Sequence, residues 1–316
     1  MEKKDLKIVF FGTPEFAVAS LDALVKGGYD VAAVVTMPDK PAGRGKKIQM
    51  SDVKRYALEH DMPVLQPEKL KAPEFVENLR AIGADLFIVI AFRMLPEVVW
   101  SMPRLGTFNL HGSLLPKYRG AAPINHAIMN GETETGITTF FLKHEIDTGD
   151  MITQRAIPIG EDDNAGVIHD RLMELGAEAV VQTVDDILAG TLQTHPQPDG
   201  EFIGAPKIFK ETCRIDWNLP ARRIHDFVRG LAPHPTACTR MIEKTGKPID
   251  VKIYSTSLKD IPSGLSLAPG EALVKGKHLY AGTGKYVVEI TELQPAGKRS
   301  MPADAFILGY HPARFE

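Results

Sequence analysis

The chain has 316 residues, 44% of them hydrophobic and 24% charged, with a net charge of −3. That is the composition of a soluble globular protein long enough for two domains with separate cores. Its only two cysteines, Cys213 and Cys238, lack any metal-like spacing and exclude a disulfide framework; no metal is expected.

Lysines precede residues 8–11, but that apolar run stops at Gly12, too short for a signal peptide. Residues 86–92 are likewise too short to span a bilayer and end at Arg93. A cytoplasmic protein is expected, and nothing demands more than a monomer. Residues 7–11, rich in β-branched and aromatic side chains, read as a buried strand. Pro14 suits the first turn of a helix whose apolar stripe is Phe16, Val18, Leu21, Leu24 and Val25, ending at Gly27 and Gly28. Residues 31–36 form a second strand. The Gly-x-Gly-x-x-Gly fingerprint is absent from the first turn, and no acidic residue closes the second strand, although Asp39 lies nearby. A dinucleotide cofactor such as NAD is therefore not expected.

Residues 37–47 are rich in Pro and Gly, which should prevent helix or strand and leave a mobile loop. Residues 40–55 hold six basic side chains and one acidic one; such a loop is either solvated or a phosphate contact. Ser51 is placed to cap a helix reaching about Glu59, with Val53, Tyr56 and Ala57 inward. Strands follow at 64–65, 86–91 and 107–110, with a helix at 73–82 between the first two. This βαβα rhythm predicts a mostly parallel, helix-covered, Rossmann-like α/β sheet.

Asn109 and His111 stand at i and i+2 on the last of these strands, so both leave the same face at its exit. An amide there can serve a developing oxyanion, and an imidazole can move a proton near neutral pH. Asp147, in Ile146-Asp147-Thr148-Gly149-Asp150, offers a carboxylate to orient the ring. Asn109, His111 and Asp147 are the expected catalytic set for carbonyl transfer, with no Ser or Cys nucleophile needed if an amine attacks directly. By itself Asn-x-His is a weak signal, since a buried histidine is more often a hydrogen-bonded structural residue.

Strand-like stretches at 136–142 and 151–159 flank Asp147, and a long amphipathic helix should occupy 165–189, ended by Gly190. Residues 191–207, rich in Thr, Gln, Pro and Gly, read as a linker. A short helix at 221–228 then precedes five short strand candidates at 237–242, 251–258, 271–274, 278–281 and 286–293, the pattern of a small β-barrel. The expected domains are 1–190, a linker 191–207, and 208–316. Residues 207–316 carry 17 Lys and Arg against 11 Asp and Glu, a balance of +6, whereas residues 1–206 balance to −9. The basic part fits either an anionic partner such as nucleic acid or a mildly basic solvated surface.

Residues 109–116, Asn-Leu-His-Gly-Ser-Leu-Leu-Pro, are followed by Arg119-Gly120-Ala121-Ala122-Pro123-Ile124 and by Asp147-Thr148-Gly149-Asp150. In these segments the chain resembles the folate-dependent formyltransferases. The resemblance runs from Phe11-Gly12-Thr13-Pro14 to Leu293-Gln294-Pro295-Ala296-Gly297-Lys298. It implies a formyltransferase domain followed by an OB-like barrel, with 10-formyltetrahydrofolate as donor. Among the members of that family, the likeness to those acting on tRNA implies the α-amine of methionine on initiator tRNA as acceptor. It also implies that Ser113, Leu114, Leu115 and Pro116 line the folate site, and that Arg44, Lys46 and Lys47 contact the tRNA acceptor stem. Lys207, Lys210, Arg222, Arg223 and Arg229 are further basic candidates, and Phe16 and Arg119 would stand near the site. One departure is Ala91-Phe92-Arg93-Met94-Leu95-Pro96, where many relatives read Ala-Tyr-Gly-x-x-Leu-Pro; Arg93 puts donor contacts there in question. A family member acting on a small amine, or a non-catalytic RNA-binding module on the same scaffold, remains an alternative.

Overall fold

The computed structural model describes residues 2–42, 47–198 and 203–316. Its amino-terminal half alternates strands and helices: β1 (Lys7–Gly12), α1 (Glu15–Lys26), β2 (Asp30–Val35), β3 (Lys40–Ala42), β4 (Lys47–Gln49), α2 (Asp52–Glu59), β5 (Val64–Leu65), α3 (Pro73–Ile82), β6 (Leu86–Ile90), α4 (Glu97–Trp100), β7 (Thr107–His111) and β8 (Arg119–Gly120). After α5 (Pro123–Met129) come β9 (Glu134–Phe141), β10 (Met151–Pro158), α6 (Ala165–Ala189) and β11 (Gly204–Ala205).

Seven of these strands form one sheet in the order β10-β9-β7-β6-β1-β2-β5. The five from β7 to β5 are parallel, and β9 runs antiparallel to β7. Both faces are covered, so β6 is buried at every position and its sequence is an unbroken apolar run. On one face Val9, Phe11, Val35, Phe87 and Val89 pack with Phe75, Val76 and Leu79 of α3; Ile8 and Phe10 point to the opposite face by the two-residue period of a strand. The chain passes from β1 to β2 on one side, then returns to place β6 on the other. Such a reversal opens a crevice beyond the carboxyl ends of the strands. Gly12 is level with Ile90, and Ile90 with Leu110, so those ends form one rim.

Helix boundaries follow the expected local chemistry. The Ser51 hydroxyl accepts the Lys54 N–H at 3.1 Å at the start of α2, and Gly83 closes α3 at φ +64°. Pro14 sits one position earlier than expected, as the N-cap of α1. The loop expected over residues 37–47 is corrected at both ends: Lys40 pairs with Gln49, Pro41 with Ile48 and Ala42 with Lys47, an antiparallel two-stranded ribbon. A lone pair of strands has free edges, where Pro41 forfeits no ladder bond by lacking an N–H.

The carboxyl-terminal part comprises α7 (Ala221–Leu231), β12 (Ala237–Glu243), β13 (Pro248–Ser257), β14 (Ala272–Lys275), β15 (His278–Gly282), β16 (Val287–Pro295), β17 (Met301–Pro302), α8 (Ala303–Phe306) and β18 (Pro312–Phe315). The sheet order is β14-β15-β16-β13-β12-β18, with β17 on β16. The Phe315 N–H donates to the Gly270 carbonyl at 2.7 Å, and Arg314 bridges Glu271, which nearly closes the sheet into a barrel. Its core joins Met241, Ile253, Leu279, Ile290 and Leu293 to Ile224, Val228 and Leu231 of α7.

Two compact units emerge. One comprises residues 1–120, 136–157 and 169–204, and the other 121–135, 158–168 and 205–316. Within the second, α5 packs on α7 where Gly230 has no side chain: a Cβ there would lie 2.5 Å from Met129 Cγ. Asn125 donates to the Gly230 carbonyl at 2.7 Å. Among the described residues no helix is long and apolar enough to cross a membrane.

Candidate active site

β7 is built from Thr107, Phe108, Asn109, Leu110 and His111, with Phe108 and Leu110 buried. The alternation puts Asn109 and His111 together on the other face at the rim. Asn109 lies opposite Val89 of β6 and Phe140 of β9, and His111 opposite Thr138. Asn109 is half-buried, and its side-chain amide has no hydrogen-bond partner among the described residues.

His111 is buried, and its two ring nitrogens differ. Nε2 lies 2.9 Å from the Tyr118 carbonyl oxygen. A carbonyl only accepts, so the proton of the neutral ring resides on Nε2. Nδ1 faces Asp147 Oδ2 at 3.9 Å, beyond hydrogen-bond length but within ion-pair reach. That carboxylate oxygen accepts the Gly120 N–H at 2.9 Å. Asp147 and His111, 36 positions apart in sequence, are thus brought together as expected.

The Asp147 backbone is left-handed, at φ +54°, a conformation that costs a non-glycine residue of order 1–3 kcal/mol. Ala91 (φ +45°), at the end of β6, and Tyr118 (φ +62°), whose carbonyl holds His111, share this state. Gly149 allows the loop its course: a Cβ there would lie 1.6 Å from the Phe141 carbonyl oxygen. The Gln197 amide also holds the loop, donating to the carbonyls of Asp147 at 2.7 Å and Gly149 at 3.0 Å.

The turn at 113–116 is fastened from beneath. Ser113 is fully buried and its hydroxyl donates to the Lys117 carbonyl at 2.7 Å. Thr138 Oγ1 donates to the Ser113 carbonyl and accepts the Leu115 N–H. Leu115 is buried, whereas Leu114 and Pro116 are half-buried. The side chains of Ser113 and Leu115 are therefore committed to the interior, and a ligand at this turn would meet backbone, Leu114 and Pro116.

Arg93 does not hang into the crevice as a free charge. Its guanidinium donates to the Glu68 carbonyl at 2.8 Å and to the Pro67 carbonyl, and burial lowers its pKa. Phe16 is buried with its ring 5.2 Å from that of His169. Arg119 donates to Gln197 Oε1 through Nε at 3.1 Å and Nη2 at 2.5 Å.

Arg44 and Lys46 lie outside the described residues, and Lys47 is described only as backbone of β4. The base of the β3–β4 ribbon is well anchored. Lys54 Nζ donates to Asp39 Oδ2 at 2.6 Å and to Gln66 Oε1 at 2.7 Å, while Gln66 donates to Asp39 Oδ1 and the Met37 carbonyl, both at 2.8 Å. The Lys54 bond holds the Asp39 carboxyl below its usual range. Thr36 and Ser51 join the two ends of the excursion through their hydroxyls at 2.7 Å.

In the second unit, Arg229 is corrected as a phosphate candidate. It is buried, donating to Asp226 Oδ1 at 2.8 Å and to the Gly160 and Asp163 carbonyls. Arg222 and Arg223 are exposed at the start of α7. The Ala221 N–H donates to the Lys285 carbonyl at 3.0 Å, and next to Lys285 stands exposed Tyr286, over whose ring the Lys285 ammonium sits at 5.1 Å.

Gln197, Tyr118 and Gly120 escaped the sequence reading. The last two act through backbone groups, and Gln197 stands in a Pro- and Gln-rich stretch with no periodicity to mark it.

The formyl transferase family matches residues 6–184, and the formyl transferase C-terminal domain matches residues 207–311. A methionyl-tRNA formyltransferase from Bacteroides fragilis is 56% identical over 98% of this chain and 97% of its own. Two solved structures share the fold at low identity. The N-formyltransferase of Helicobacter canadensis, bound to folinic acid and dTDP-3-aminofucose, has a TM-score of 0.64 and 20% identity, covering 92% of this chain and 99% of its own. HypX from Aquifex aeolicus, in complex with tetrahydrofolic acid, has a TM-score of 0.64 and 21% identity over 96% of this chain; the match spans 46% of that longer protein.

Proposed function

Because the chain belongs to the formyl transferase family, we propose that it transfers the formyl group of 10-formyltetrahydrofolate to the α-amine of methionyl initiator tRNA. The observation that carries this reading is the meeting of Asn109, His111 and Asp147 at the rim of the parallel sheet, in a chain whose Bacteroides fragilis relative acts on methionyl-tRNA.

In the transfer, the acceptor nitrogen bonds to the formyl carbon and the carbon's bond to the donor nitrogen breaks. Negative charge gathers on the formyl oxygen on the way. The unpartnered Asn109 amide is the donor for that oxygen, a role worth roughly 2.7–4 kcal/mol of transition-state stabilisation. One proton leaves the attacking nitrogen and one must reach the departing nitrogen. With Nε2–H occupied by Tyr118, His111 Nδ1 is the ring atom able to take up or release it, and Asp147 at 3.9 Å offsets the imidazolium charge. The donor's ring system is placed against Leu114, Pro116, and the backbone of residues 113–116 and 146–150.

In this reading residues 1–190, together with Gln197 of the connecting stretch 191–207, serve the chemistry, and 208–316 extend the tRNA footprint. Arg44, Lys46 and Lys47 meet acceptor-stem phosphates from a hairpin that leaves the carboxyl end of β2, the sheet edge that also holds His111. Exposed Lys207, Lys210, Arg222, Arg223 and the Lys285–Tyr286 pair supply cations and a stacking ring from the barrel unit. The enzyme acts as a cytoplasmic monomer in this reading.

The test is a formyl-transfer assay offering methionyl-tRNA, an amino-sugar nucleotide and glycinamide ribonucleotide separately, with 10-formyltetrahydrofolate as donor. Efficient formylation is expected for methionyl-tRNA alone. A kcat/KM for either small amine matching that for methionyl-tRNA would overturn the acceptor assignment.

A further inference from the structure

We infer that Gln197 is a positioning residue for the reaction, a strut that sets the height of the Asp147 carboxylate over His111. The inference rests on the formyl-transfer reading above for its kinetic consequence, but its geometry stands independently.

One amide group makes four hydrogen bonds here. Its nitrogen donates to the carbonyls of Asp147 and Gly149, at 2.7 and 3.0 Å. Its oxygen accepts both Arg119 Nε and Nη2, at 3.1 and 2.5 Å. A primary amide has two donor hydrogens and two acceptor lone pairs, so its capacity is filled, and a charged guanidinium polarises it toward the two carbonyls. The order of polarity is fixed: cation to amide oxygen, amide N–H to loop carbonyls. Only Gln or Asn can satisfy both ends, and Asn is one methylene shorter.

The loop needs such a tie. Asp147 is held in left-handed backbone at φ +54°, and Gly149 passes the Phe141 carbonyl with no room for a side chain. Strained backbone persists when its surroundings over-determine it. Asp147 Oδ2 must at once reach the Gly120 N–H at 2.9 Å and stand 3.9 Å from His111 Nδ1. Gln197 itself is held in place, because the neighbouring His195 exchanges both backbone hydrogen bonds with Met151, at 2.8 and 2.9 Å. The residue that positions the catalytic carboxylate thus lies 50 positions beyond it.

The experiment compares Gln197→Ala and Gln197→Glu with the wild-type full-length enzyme. Glutamate has nearly the same size and pairs well with Arg119, but it presents acceptors to two carbonyls. Both variants are expected to lose about 10- to 100-fold in kcat, as a displaced catalytic group does, with KM for donor and tRNA little changed and Glu no better than Ala. If the residue merely filled space, Gln197→Glu would stay near wild type, which overturns the proposal. In an Asp147→Asn background, Gln197→Ala should add little further loss; a fully multiplicative loss also overturns it. Amide hydrogen exchange over residues 143–150 gives a readout without catalysis: faster exchange confined to that loop in Gln197→Ala is expected, and unchanged protection overturns the strut whatever the acceptor. Failure of methionyl-tRNA as acceptor, with the loop deprotected as expected, would instead count against the functional reading alone.

Discussion

At the scale of single residues, the site divides into groups that are spent and groups that are available. Ser113, Thr138 and Gln197 have their polar atoms committed within the protein, to backbone and, for the Gln197 oxygen, to Arg119, whereas the Asn109 amide is unpartnered among the described residues. Asn109→Ala should therefore leave the melting temperature near wild type while lowering kcat by about 10²–10³-fold, the loss typical of a missing oxyanion donor; paired thermal-melting and steady-state measurements check both halves. His111→Ala and Asp147→Asn should abolish most turnover with the fold intact, and wild-type-like turnover in either would refute its assignment. Gly149→Ala should behave differently. A Cβ 1.6 Å from a carbonyl oxygen forces the loop aside, so activity and stability should fall together, the latter by roughly 1–3 kcal/mol in a denaturant titration. Asn109, His111 and Asp147 could be offered as candidates because side-chain chemistry is written in the sequence, and the structure brings His111 and Asp147 to 3.9 Å. Tyr118 and Gly120 were not, because a carbonyl or an N–H is the same at every position and only its direction matters.

At the scale of elements, the β3–β4 ribbon shows how a segment rich in Pro and Gly acquires a defined root. Lys54 on α2 binds Asp39, Gln66 binds both Asp39 and the Met37 carbonyl, and Thr36 meets Ser51. Lys54→Met should raise KM for tRNA more than KM for the donor, because the hairpin loses its root while the rim of the sheet does not. Acid should have a similar effect. The Lys54 hydrogen bond depresses the Asp39 pKa, so this anchor is fully present above the ordinary carboxylate pKa of about 3.9 and is lost as pH falls through the depressed value. Limited proteolysis within residues 40–49 should accordingly stay constant down to about pH 4 and rise only below it. The helices at 52–59 and 73–82 were readable in the sequence, the first from its Ser51 cap. The β3–β4 ribbon and the four-residue β18 were not, since their pairing comes from partners remote in sequence or across a turn, and Pro41 argues locally against a strand.

For the molecule as a whole, the units interleave along the chain: residues 121–135 and 158–168 belong with the barrel unit. The Asp226–Arg229 pair explains much of the second grouping. Arg229 reaches the carbonyls of Gly160 and Asp163, and His225 Nε2 lies 3.1 Å from the Glu161 carbonyl. Both side chains of the pair are almost fully buried, so Asp226→Ala would strand a buried guanidinium. It should cost about 3–5 kcal/mol, read as a lowered urea midpoint with the barrel unit melting first; a loss below about 1 kcal/mol would mean water reaches the pair.

The sequence by itself determined the mostly parallel sheet and the β-rich carboxyl-terminal part, and it offered Asn109, His111 and Asp147 as candidates, because hydrophobic period, turn residues and functional groups are local properties. Only the tertiary structure decided how those groups work together: which nitrogen of His111 bears the proton, that Asp147 is suspended from Gln197, that Arg93 and Arg229 are bound to carbonyls instead of facing a ligand, and which stretches of the amino-terminal half join the barrel. These depend on contacts between groups that lie apart along the chain, such as His111 and Asp147 at 3.9 Å, and such distances exist only once the chain has folded.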